Sequence, residues 1–515
     1  MTFTSNQDKA QSLNHSVLFD VHRWSDYSEV NAAINHLFAI LKHDALLSVQ
    51  DKKGKKFLKI IVLDLLANWY RDHELYSAIY RKKSHYTDLK ARYNKLFFKY
   101  DAMIKLLDAL VELGFIEQYL GFYDSDNPRL SKTTRIKATP KLVDFLTQDY
   151  LIKEGMIERA PSTECIILRD KVDGKKTDLD YEDTSDTRAM RQNLYNYNNL
   201  LRDMFISIPE VHNVGIPTIS GANTFVTQNE KFVRRIFNNN SWKEGGRYYG
   251  GWWQRIPKEW REKIRFWDMA TVEVDYSGLH IVLLYAREGI NYWKVKAVDP
   301  YAIEGIEQSE RMRALLKTVL LTAINSRTKQ EAIKAVNYHI TNHFEDFCWI
   351  RNEGLSIGDL IDHFTEGHQA VSQYFFTSVG LRLQNCDAKI AEEVIKHFTE
   401  QGIPVLCMHD SFIIEAKNKA ELKRVMNEAI TRVKDEEALL DTNPKMKKKT
   451  IGLELSTQDI IKSTREWKQE TITMKQLYKD YPAWVKVLED FDDNKTSTDY
   501  LDNYYNQLMD ISKSK

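Results

Sequence analysis

The chain has 515 residues, of which 43% are hydrophobic and 28% charged, which is typical of a globular protein with two or three domains. Its 73 basic residues balance its 73 acidic residues, so any contact with nucleic acid would depend on local patches of charge. No stretch reaches the ~18 consecutive apolar residues that a membrane helix needs, which excludes a spanning helix.

The N-terminal segment MTFTSNQDKAQSLNHSVLFDVHRW is polar and lacks the apolar core of a signal peptide. The four cysteines, at positions 165, 348, 386 and 407, are scattered, whereas metal sites and disulfide frameworks use closely spaced pairs. We therefore expect a cytoplasmic protein in a reducing setting, without membrane contact.

Residues 28–150 are predicted to be mostly helical. Apolar residues recur at 3.6-type spacing in three stretches, VNAAINHLFAILKHDALL, FLKIIVLDLLANWYRDH and YNKLFFKYDAMIKLLDALVELG. The last of these ends at Gly114, a candidate C-cap, and Pro140 begins a further short helix. Between these two residues, the apolar runs FIEQYLGFY and KTTRIKAT flank the turn-rich segment DSDNPRLS, which predicts a β-hairpin.

The order helix, hairpin, helix is similar to a winged-helix unit, in which the hairpin is the wing. A small α+β scaffold is the alternative interpretation. Basic residues on the hairpin would give such a wing a phosphate-contacting surface, although similar residues are common on solvated loops: Lys132, Arg135 and Lys137. We interpret the region as a nucleic-acid-binding domain.

A polar, acidic stretch at 160–190 indicates a domain boundary near Arg188, which divides the chain into 1–187 and 188–515. Beyond it, NNNSWKEGGRYYGGWWQRIPKEW combines aromatic residues, glycines and basic residues. This mixture suits stacking on bases or sugars, and a buried aromatic loop is the alternative. The C-terminal 70 or so residues are predicted to form amphipathic helices that suggest no chemistry.

Two acidic residues fall at the ends of predicted strands. In ATVEVDYSGLH, alternation puts Thr271, Glu273 and Asp275 on one face of a strand, and VLCMHDSFIIE predicts a hairpin with Asp410 at or beside its turn. If the two strands are neighbours in one sheet, the two carboxylates meet. Such a repelling pair is usually neutralised by divalent cations, and oxygen ligands suit Mg²⁺. The sequence therefore predicts a site for metal-assisted phosphoryl transfer.

The stretch SERMRALLKTVLLTAINS is predicted to be a helix with an apolar side and a basic stripe. The stripe contains residues four apart: Arg313, Lys317, Leu321 and Asn325. A positive pair followed by smaller residues suits a triphosphate with its sugar and base, and a solvated surface is the alternative.

In this order, these stretches resemble the motifs of the single-subunit polymerase superfamily, which contains the family A DNA polymerases and the single-subunit phage and mitochondrial RNA polymerases. DYSGLH is similar to motif A, RALLKTVLLTAIN to motif B, HDSF to motif C, and GGRYYGGWWQRIP to the Gly-Arg and Gln-x-Ile-Pro segment upstream. VDPYAI resembles the stretch before motif B, and LQNCDAKIAEEVI resembles the Gln-containing helix before motif C. The resemblance covers about residues 230–420.

The resemblance implies a role for each matching residue. Asp275 and Asp410 would bind two catalytic Mg²⁺ ions, with Mn²⁺ as the alternative. Arg313 and Lys317 would hold the nucleotide phosphates, Lys317 would also protonate the departing pyrophosphate, and His409 would lie near the primer 3′ end. Further nucleotide-binding residues would be Tyr276, His280, Leu321 and Asn325. Further nucleic-acid-binding residues would be Arg247, Gln254 and Gln384.

The motifs favour DNA synthesis by a small margin. Family A DNA polymerases place Glu five residues after the first Asp, where it blocks a ribose 2′-OH, and the RNA enzymes place Gly there. This chain has His280, whose bulk favours deoxynucleotides. DYS and GR…QRIP are typical of the DNA enzymes, whereas HDSF and LLT are typical of the RNA enzymes. Leu321 and Asn325 match neither family, so they give no indication of the sugar.

The resemblance implies an α+β fold with the palm and fingers of a right-hand polymerase, behind the winged-helix-like domain. Its thumb would be small, because only a short stretch separates the boundary near Arg188 from Lys231. Its partners would be a DNA or RNA primer-template, nucleoside triphosphates, and a processivity or replication partner. Three alternatives stay open: a primer-independent RNA polymerase or primase, a template-independent nucleotidyltransferase, and a non-catalytic winged-helix DNA-binding regulator.

Overall fold

A computed structural model of the chain describes residues 13–467, with gaps at 88–89, 128–129, 173, 211–214, 218–222, 297, 343–348, 351–353 and 441–463. The described helices are α1 (Ser28–Asp44), α2 (Asp51–Arg71), α3 (Lys83–Thr87), α4 (Tyr100–Glu112), α5 (Pro140–Asp144), α6 (Ser185–Asp203), α7 (Lys258–Arg261), α8 (Leu279–Arg287), α9 (Tyr292–Val295), α10 (Glu310–Asn325), α11 (Lys329–Asn342), α12 (Ile357–Gly367), α13 (Gly380–Glu400) and α14 (Lys419–Leu440).

The described strands are β1 (Ser16–Leu18), β2 (Arg23–Trp24), β3 (Tyr76–Ile79), β4 (Ile116–Tyr119), β5 (Thr134–Ala138), β6 (Glu158–Arg159), β7 (Ile166–Val172), β8 (Lys175–Leu179), β9 (Ile206–Ser207), β10 (Ile216–Pro217), β11 (Asn223–Thr224), β12 (Arg234–Phe237), β13 (Gly245–Tyr249), β14 (Arg265–Phe266), β15 (Met269–Tyr276), β16 (Val405–Cys407), β17 (Ser411–Glu415) and β18 (Thr464–Trp467). Helices and strands are thus mixed along the chain.

The first of two hydrophobic cores is built around α2. Residues 57–68 of this helix are all buried, because α1, α4 and strand β5 pack against it. The adjoining sheet has the order β1-β3-β5-β4, in which β1 runs parallel to β3 and the other pairs are antiparallel. This core extends from Val30 to Ile157.

The helices and the hairpin predicted for this region are confirmed, with one shorter helix. Helix α4 begins at Tyr100 and not at Tyr93, because the side chain of Asn94 closes a loop before it. Gly114 follows α4 with φ of 71° and donates its N–H to the carbonyl of Val111 at 3.0 Å, as a C-cap glycine does. The winged-helix interpretation of this order of elements stays a prediction.

The second core contains two sheets. One has the order β16-β17-β15-β14-β9, with β18 beside β15, and the other has the order β13-β12-β7-β8. Helix α13 packs against β13, β16 and α14, and α14 packs against β15. The buried residues of this core begin at Cys165, since β7 pairs with β12. The domain boundary near Arg188 stays a prediction.

A partly buried ion cluster joins the two cores. Arg23 donates a hydrogen bond to the carboxylate of Glu230 at 2.7 Å, and Arg71 of α2 donates to the same oxygen. Although burial opposes the shift, the guanidinium groups of Arg71 and Arg23 lower the pKa of Glu230 to about 2. The other carboxylate oxygen lies 3.7 Å from the guanidinium of Arg255. Glu230 therefore links the first core to the segment around Arg255 in the second.

Among the described residues, no helix is both long enough and apolar enough to cross a bilayer. Three of the four cysteines are buried and form no disulfide bond among the described residues, Cys165, Cys386 and Cys407, while Cys348 lies outside them. The C-terminal 70 or so residues, predicted to form amphipathic helices, also lie outside the described residues. The exception is Thr464–Trp467, which forms strand β18 and not a helix.

Candidate active site

Two aspartates from distant parts of the chain lie at the same end of neighbouring strands. Strands β15 and β17 are antiparallel, and Asp275 is paired in register with Ser411. Asp410 directly precedes Ser411, and its carbonyl accepts the N–H of Tyr276 at 3.3 Å. The structure thus brings the backbones of Asp275 and Asp410 together, as the strand and hairpin patterns predict. Their role in metal binding stays a prediction.

The turn that carries Asp410 is tightly held. Met408 donates its N–H to the carbonyl of Ser411 at 2.8 Å, and the hydroxyl of Ser411 donates to the buried carboxylate of Glu273 at 2.7 Å. Within the turn His409 has φ of 71°, a left-handed conformation that is costly for a residue with a side chain. The hydrogen bonds on either side fix this conformation, and they fix the direction in which Asp410 leaves the strand.

Tyr301 lies near the basic stripe of α10 and within the electrostatic influence of the acid pair. The guanidinium of Arg313 is 5.0 Å from the centre of the Tyr301 ring, and the ammonium of Lys317 is 5.9 Å from it. Burial raises the pKa of Tyr301, and the negative charges of Asp410 and Asp275 raise it further. The Tyr301 ring is therefore within electrostatic reach of both acids and both cations.

Asp299 holds one of the two cations in place. Its carboxylate accepts a hydrogen bond from Nε of Arg313 at 2.7 Å and another from the N–H of Tyr301 at 2.9 Å. Lys317 is exposed, and within the part of the chain that the structure describes it makes no ion pair. The stripe thus offers a fixed guanidinium beside an ammonium that is free to take up an anionic ligand.

A glycine brings the segment around Tyr301 up to the acid-bearing strand. Gly278 follows Asp275 by three residues, has φ of 64° and stands at the start of α8. A Cβ added to it would lie 2.5 Å from Cγ of Pro300, closer than real contacts permit. The absence of a side chain at Gly278 therefore allows Pro300, and with it Tyr301, to pack against the end of β15.

A second charged cluster lies beside Asp410. Asp387 of α13 is 1% exposed, and its two oxygens accept hydrogen bonds from Nε of Arg247 at 3.0 and 2.9 Å. Its carboxylate also contacts Nε2 of His280 at 3.0 Å. Although burial opposes the shift, Asp387 raises the pKa of Arg247, and Asp410 adds to the effect. Asp387 thus holds Arg247 and His280 together next to the acid pair.

His409 packs against Tyr249 of β13, with the ring centres 5.2 Å apart in an edge-on arrangement. Burial lowers the pKa of His409, and the charge of Arg247 lowers it further. Its Nδ1 atom is buried and has no hydrogen-bond partner among the described residues. The ring is thus kept neutral near physiological pH, and one of its nitrogen atoms is unsatisfied.

The predicted nucleotide contact of Tyr276 is wrong. Its side chain is buried, and its hydroxyl donates a hydrogen bond to the carbonyl of Met426 in α14. The reason is the alternation of a strand: Tyr276 lies on the face opposite to that of Asp275, together with Val272 and Val274.

Two of the predicted phosphate contacts on the hairpin are also corrected. Arg135 is only 7% exposed and donates from Nε to the carbonyl of Leu13 at 3.1 Å. Lys137 forms an ion pair with Glu74 at 2.7 Å. Both cations are used within the first core, so only Lys132, which is half-buried, stays a predicted contact.

Several other predicted ligand contacts are engaged within the protein. Gln254 donates from Nε2 to the carbonyls of Tyr248 and Cys407, both at 2.9 Å, which ties its loop to the strand before His409. Asn325 donates to the carbonyl of Leu321 at 2.7 Å, and its side chain packs on Gly380. Gln254 and Asn325 therefore position backbone. The half-buried residues Leu321 and Gln384 stay predictions.

Reasoning from the sequence did not assign roles to Asp299, Tyr301 or Asp387. Asp387 carried a signal, because Leu383, Ile390 and Val394 put it on the buried stripe of an amphipathic helix, where an unpaired acid is not expected. Asp299 and Tyr301 lie in VDPYAI, which resembles the stretch before motif B, but this irregular segment has no periodicity from which its path could be predicted.

Among the described residues, no group of three or more His, Cys, Asp or Glu side chains is arranged to hold a metal ion. Asp275 and Asp410 stay the predicted metal ligands. Mg²⁺ is commonly bound by one or two carboxylates together with waters and substrate phosphates, so two aspartates would fit Mg²⁺ better than an ion that needs a complete cage of protein ligands.

No family model matches the chain, and no curated protein matches it. Among solved structures it is similar to the POL domain of Pol1 from M. smegmatis, in complex with DNA primer-template and dNTP. The identity is 11%, the TM-score is 0.23, and the match covers 78% of this chain and 70% of that chain. At so low a TM-score the similarity carries no functional conclusion.

Proposed function

We propose that the chain is a template-directed nucleotidyltransferase, DNA polymerase-like, that adds nucleotides to the 3′ end of a nucleic acid. The observation that carries this proposal is the pairing of β15 and β17, which brings Asp275 and Asp410 to one sheet end, together with Arg313 and Lys317 at the ring of Tyr301. Phosphoryl transfer depends mainly on positioning and on neutralising charge, and acids and cations grouped near one ring suit both.

Asp275 and Asp410 would hold two Mg²⁺ ions, or Mn²⁺, whose charge would neutralise the oxygens of the reacting phosphate. The register of β15 and β17 supports this assignment, because it brings Asp275 and Asp410 to the same end of the sheet. The rigid turn at Met408 and Ser411 would keep Asp410 directed toward that end without reorganisation during the reaction.

Arg313 and Lys317 would bind the triphosphate. Arg313 is already oriented by Asp299, so it would contribute a fixed positive charge, whereas Lys317 would move onto the phosphates. The 3′-hydroxyl oxygen forms a bond to the α-phosphorus, and the bond from that phosphorus to the pyrophosphate breaks. Lys317 gives a proton to the departing pyrophosphate, and the hydroxyl proton passes to solvent.

His280 favours a deoxynucleotide in this proposal. Its imidazole contacts the buried carboxylate of Asp387 at 3.0 Å and lies 3.2 Å from the guanidinium of Arg247. A ring held by two charged partners cannot swing aside readily, so its bulk would stay beside the sugar. Arg247 and the neutral ring of His409 would then lie near the primer end.

The second core would form the palm and fingers of this polymerase, with a small thumb near 188–231. The first core would be a winged-helix-like domain that holds the primer-template, in the division 1–187 and 188–515. The four-stranded sheet, in the order β1-β3-β5-β4, packs against α2 and α4, which is compatible with that domain type.

The proposal is tested by incubating the protein with a labelled primer-template, Mg²⁺ and either dNTPs or rNTPs. We expect extension with dNTPs, a loss of at least about 10²-fold in rate for Asp275→Asn or Asp410→Asn, and about 10²-fold for Lys317→Gln. Lys334→Gln on α11, which removes an exposed lysine from the neighbouring helix, is the matched control.

The other possible results of this assay distinguish the alternative functions. No extension with either nucleotide set would contradict the proposal. De novo products from rNTPs alone would favour a primase or RNA polymerase, and incorporation without a template would favour a template-independent transferase. Tight duplex binding without any incorporation would favour a non-catalytic regulator.

A further inference from the structure

Five lysines lie on the two segments that meet at an exposed aromatic ring on the first core. The ring is Phe97, which is 55% exposed in the loop before α4. The lysines lie at the start of α2 and on the same loop: Lys52, Lys53, Lys56, Lys95 and Lys99. We call these six residues the Phe97 surface.

The two parts of the Phe97 surface are neighbours in space. The ammonium of Lys56 is 5.8 Å from the centre of the Phe97 ring. One residue further along each segment, Phe57 and Phe98 are buried with their ring centres 4.9 Å apart, and Lys53 lies 5.7 Å from the Phe57 ring. The buried pair of rings therefore anchors the loop to α2.

The loop holds Phe97 outward in a strained conformation. The buried side chain of Asn94 accepts the N–H of Phe98 at 2.8 Å and donates to the carbonyl of Phe98 at 2.9 Å. Phe97 lies between Asn94 and Phe98 and has φ of 53°. A residue with a side chain adopts this left-handed conformation at a cost of order 1 kcal/mol. Glycine would avoid this cost, and the ring contributes little burial in return. The exposed ring is thus a candidate for contact with a ligand.

The charge around Phe97 is mainly positive, although Lys95 also lies near Asp180, whose pKa is lowered by its hydrogen bond to Arg92 and further by the charge of Lys95. Among the described residues, none of the five lysines makes an ion pair. The adjacent acids are already paired, Asp51 with Lys42 at 3.0 Å and Asp101 with Lys83 at 3.7 Å. Burial lowers the pKa of Lys56, and the charge of Lys52 lowers it further, as expected where cations crowd together.

The rest of the exposed side of α4 is unsuited to phosphates. It carries three acids and one lysine: Asp101, Asp108, Glu112 and Lys105. Lys105 donates to the carbonyl of Ser48 at 3.0 Å. The Phe97 surface is therefore more positively charged than the rest of the exposed side of α4.

We propose that the Phe97 surface binds single-stranded nucleic acid, with the Phe97 ring stacked on a base and the lysines on the flanking phosphates. Stacking on an aromatic ring needs an unpaired base, and lysines contact phosphates without reading sequence. The surface is separate from the acid pair, so this binding requires neither Mg²⁺ nor nucleotide. In a polymerase it would hold the unpaired part of the template.

The test is fluorescence anisotropy of the full chain with a labelled 20-nucleotide oligo-dT, in the absence of Mg²⁺ and nucleotides. We expect Phe97→Gly to weaken binding about tenfold, which is in the range for losing one stacked base. Its melting temperature stays equal or rises, because glycine relieves the positive φ, so weaker binding is not a result of unfolding. Since no catalysis is involved, the outcome is independent of whether the protein extends primers.

The lysines are tested by the salt dependence of the same binding. Replacing Lys95 and Lys99 with Gln reduces the slope of log K against log salt by about 1.4, since each phosphate contact on a single strand contributes about 0.7. Lys171→Gln with Lys176→Gln, an exposed pair on strands β7 and β8, removes the same charge elsewhere and leaves the slope unchanged.

Tyr338, which is 72% exposed on α11 in the second core, supplies the matched aromatic control. Tyr338→Ala retains the affinity for oligo-dT within about twofold. The proposal is overturned if Phe97→Gly binds like the unchanged protein or if Tyr338→Ala weakens binding as much. It is also overturned if a blunt hairpin duplex binds more tightly than oligo-dT and Phe97→Gly does not alter either affinity.

Discussion

At the scale of single residues, Asp387 determines the charge arrangement next to the acid pair. It is buried, it binds Arg247 through both oxygens, and it contacts His280. Removing one partner of a buried ion pair is costly because the other charge is left without compensation. The stability of this part of the fold should therefore depend strongly on the charge of Asp387.

We expect Asp387→Asn to lower the free energy of unfolding by about 3 kcal/mol, because it leaves the buried guanidinium of Arg247 unpaired. Urea denaturation at neutral pH measures this. Glu393→Gln on the same helix is the control, since Glu393 pairs with Arg432 at the surface and such pairs contribute roughly 0–1 kcal/mol. Equal denaturation midpoints for the two variants would show that Asp387 is not needed to hold Arg247.

Prediction from sequence succeeded for residues whose neighbours along the chain decide their direction. Alternation in β15 fixes the side of Asp275, and the same alternation should have excluded Tyr276. It failed for Arg135 and Gln254, because their partners are backbone carbonyls from distant segments, at Leu13 and Cys407. No local pattern indicates which carbonyl a long polar side chain will reach.

At the scale of elements, the contact of Gly278 with Pro300 joins the acid-bearing strand to the segment that leads into α10. The strands and α10 follow from apolar periodicity, which is why their bounds match the prediction. The segment at 299–301 has no periodicity, so its approach to the strand end appears only in the structure.

We expect Gly278→Ala to reduce primer extension about tenfold or more, because a Cβ at 2.5 Å from Pro300 pushes Tyr301 and Asp299 away from the acids. Gly289→Ala, at the other end of α8, is the matched control: it has φ of 72° but no atom within 4 Å of the added Cβ. Both variants carry similar backbone strain, so only the clash distinguishes them. A similar loss of activity in both would show that strain alone, and not the Pro300 contact, matters.

At the scale of the whole molecule, the ion pairs of Glu230 join the two cores. Glu230 receives hydrogen bonds from Arg23 and Arg71 of the first core and lies near Arg255 of the second. The sequence offered no sign of this, because each partner is an ordinary charged residue in its own segment. Only the packing of the two cores brings these residues together.

The pH dependence of unfolding should report this cluster. The folded pKa of Glu230, about 2, lies below its ordinary value of 4.5, so the fold stabilises the ionised form. Its contribution is fully present above about pH 4.5 and is lost as the pH falls toward 2. Thermal melting should therefore show Glu230→Gln less stable than the unchanged protein at pH 7, with the difference shrinking between pH 4.5 and 2.

Glu112→Gln, which removes an exposed carboxylate from α4, should follow the melting curve of the unchanged protein at every pH. A difference between Glu230→Gln and the unchanged protein that stays constant from pH 7 to pH 2.5 would contradict the role of ionised Glu230.

The bridge at Glu230 also has a geometric consequence. The ion pairs of Glu230 with Arg23 and Arg71 should oppose rotation of one core against the other, so we expect a constant separation between Phe97 and Asp410. A strand engaged at both places would then be covered over a fixed number of nucleotides, whatever its sequence. Nuclease protection would show one footprint with sharp boundaries. In Glu230→Gln the boundary on the side of the first core would become less sharp.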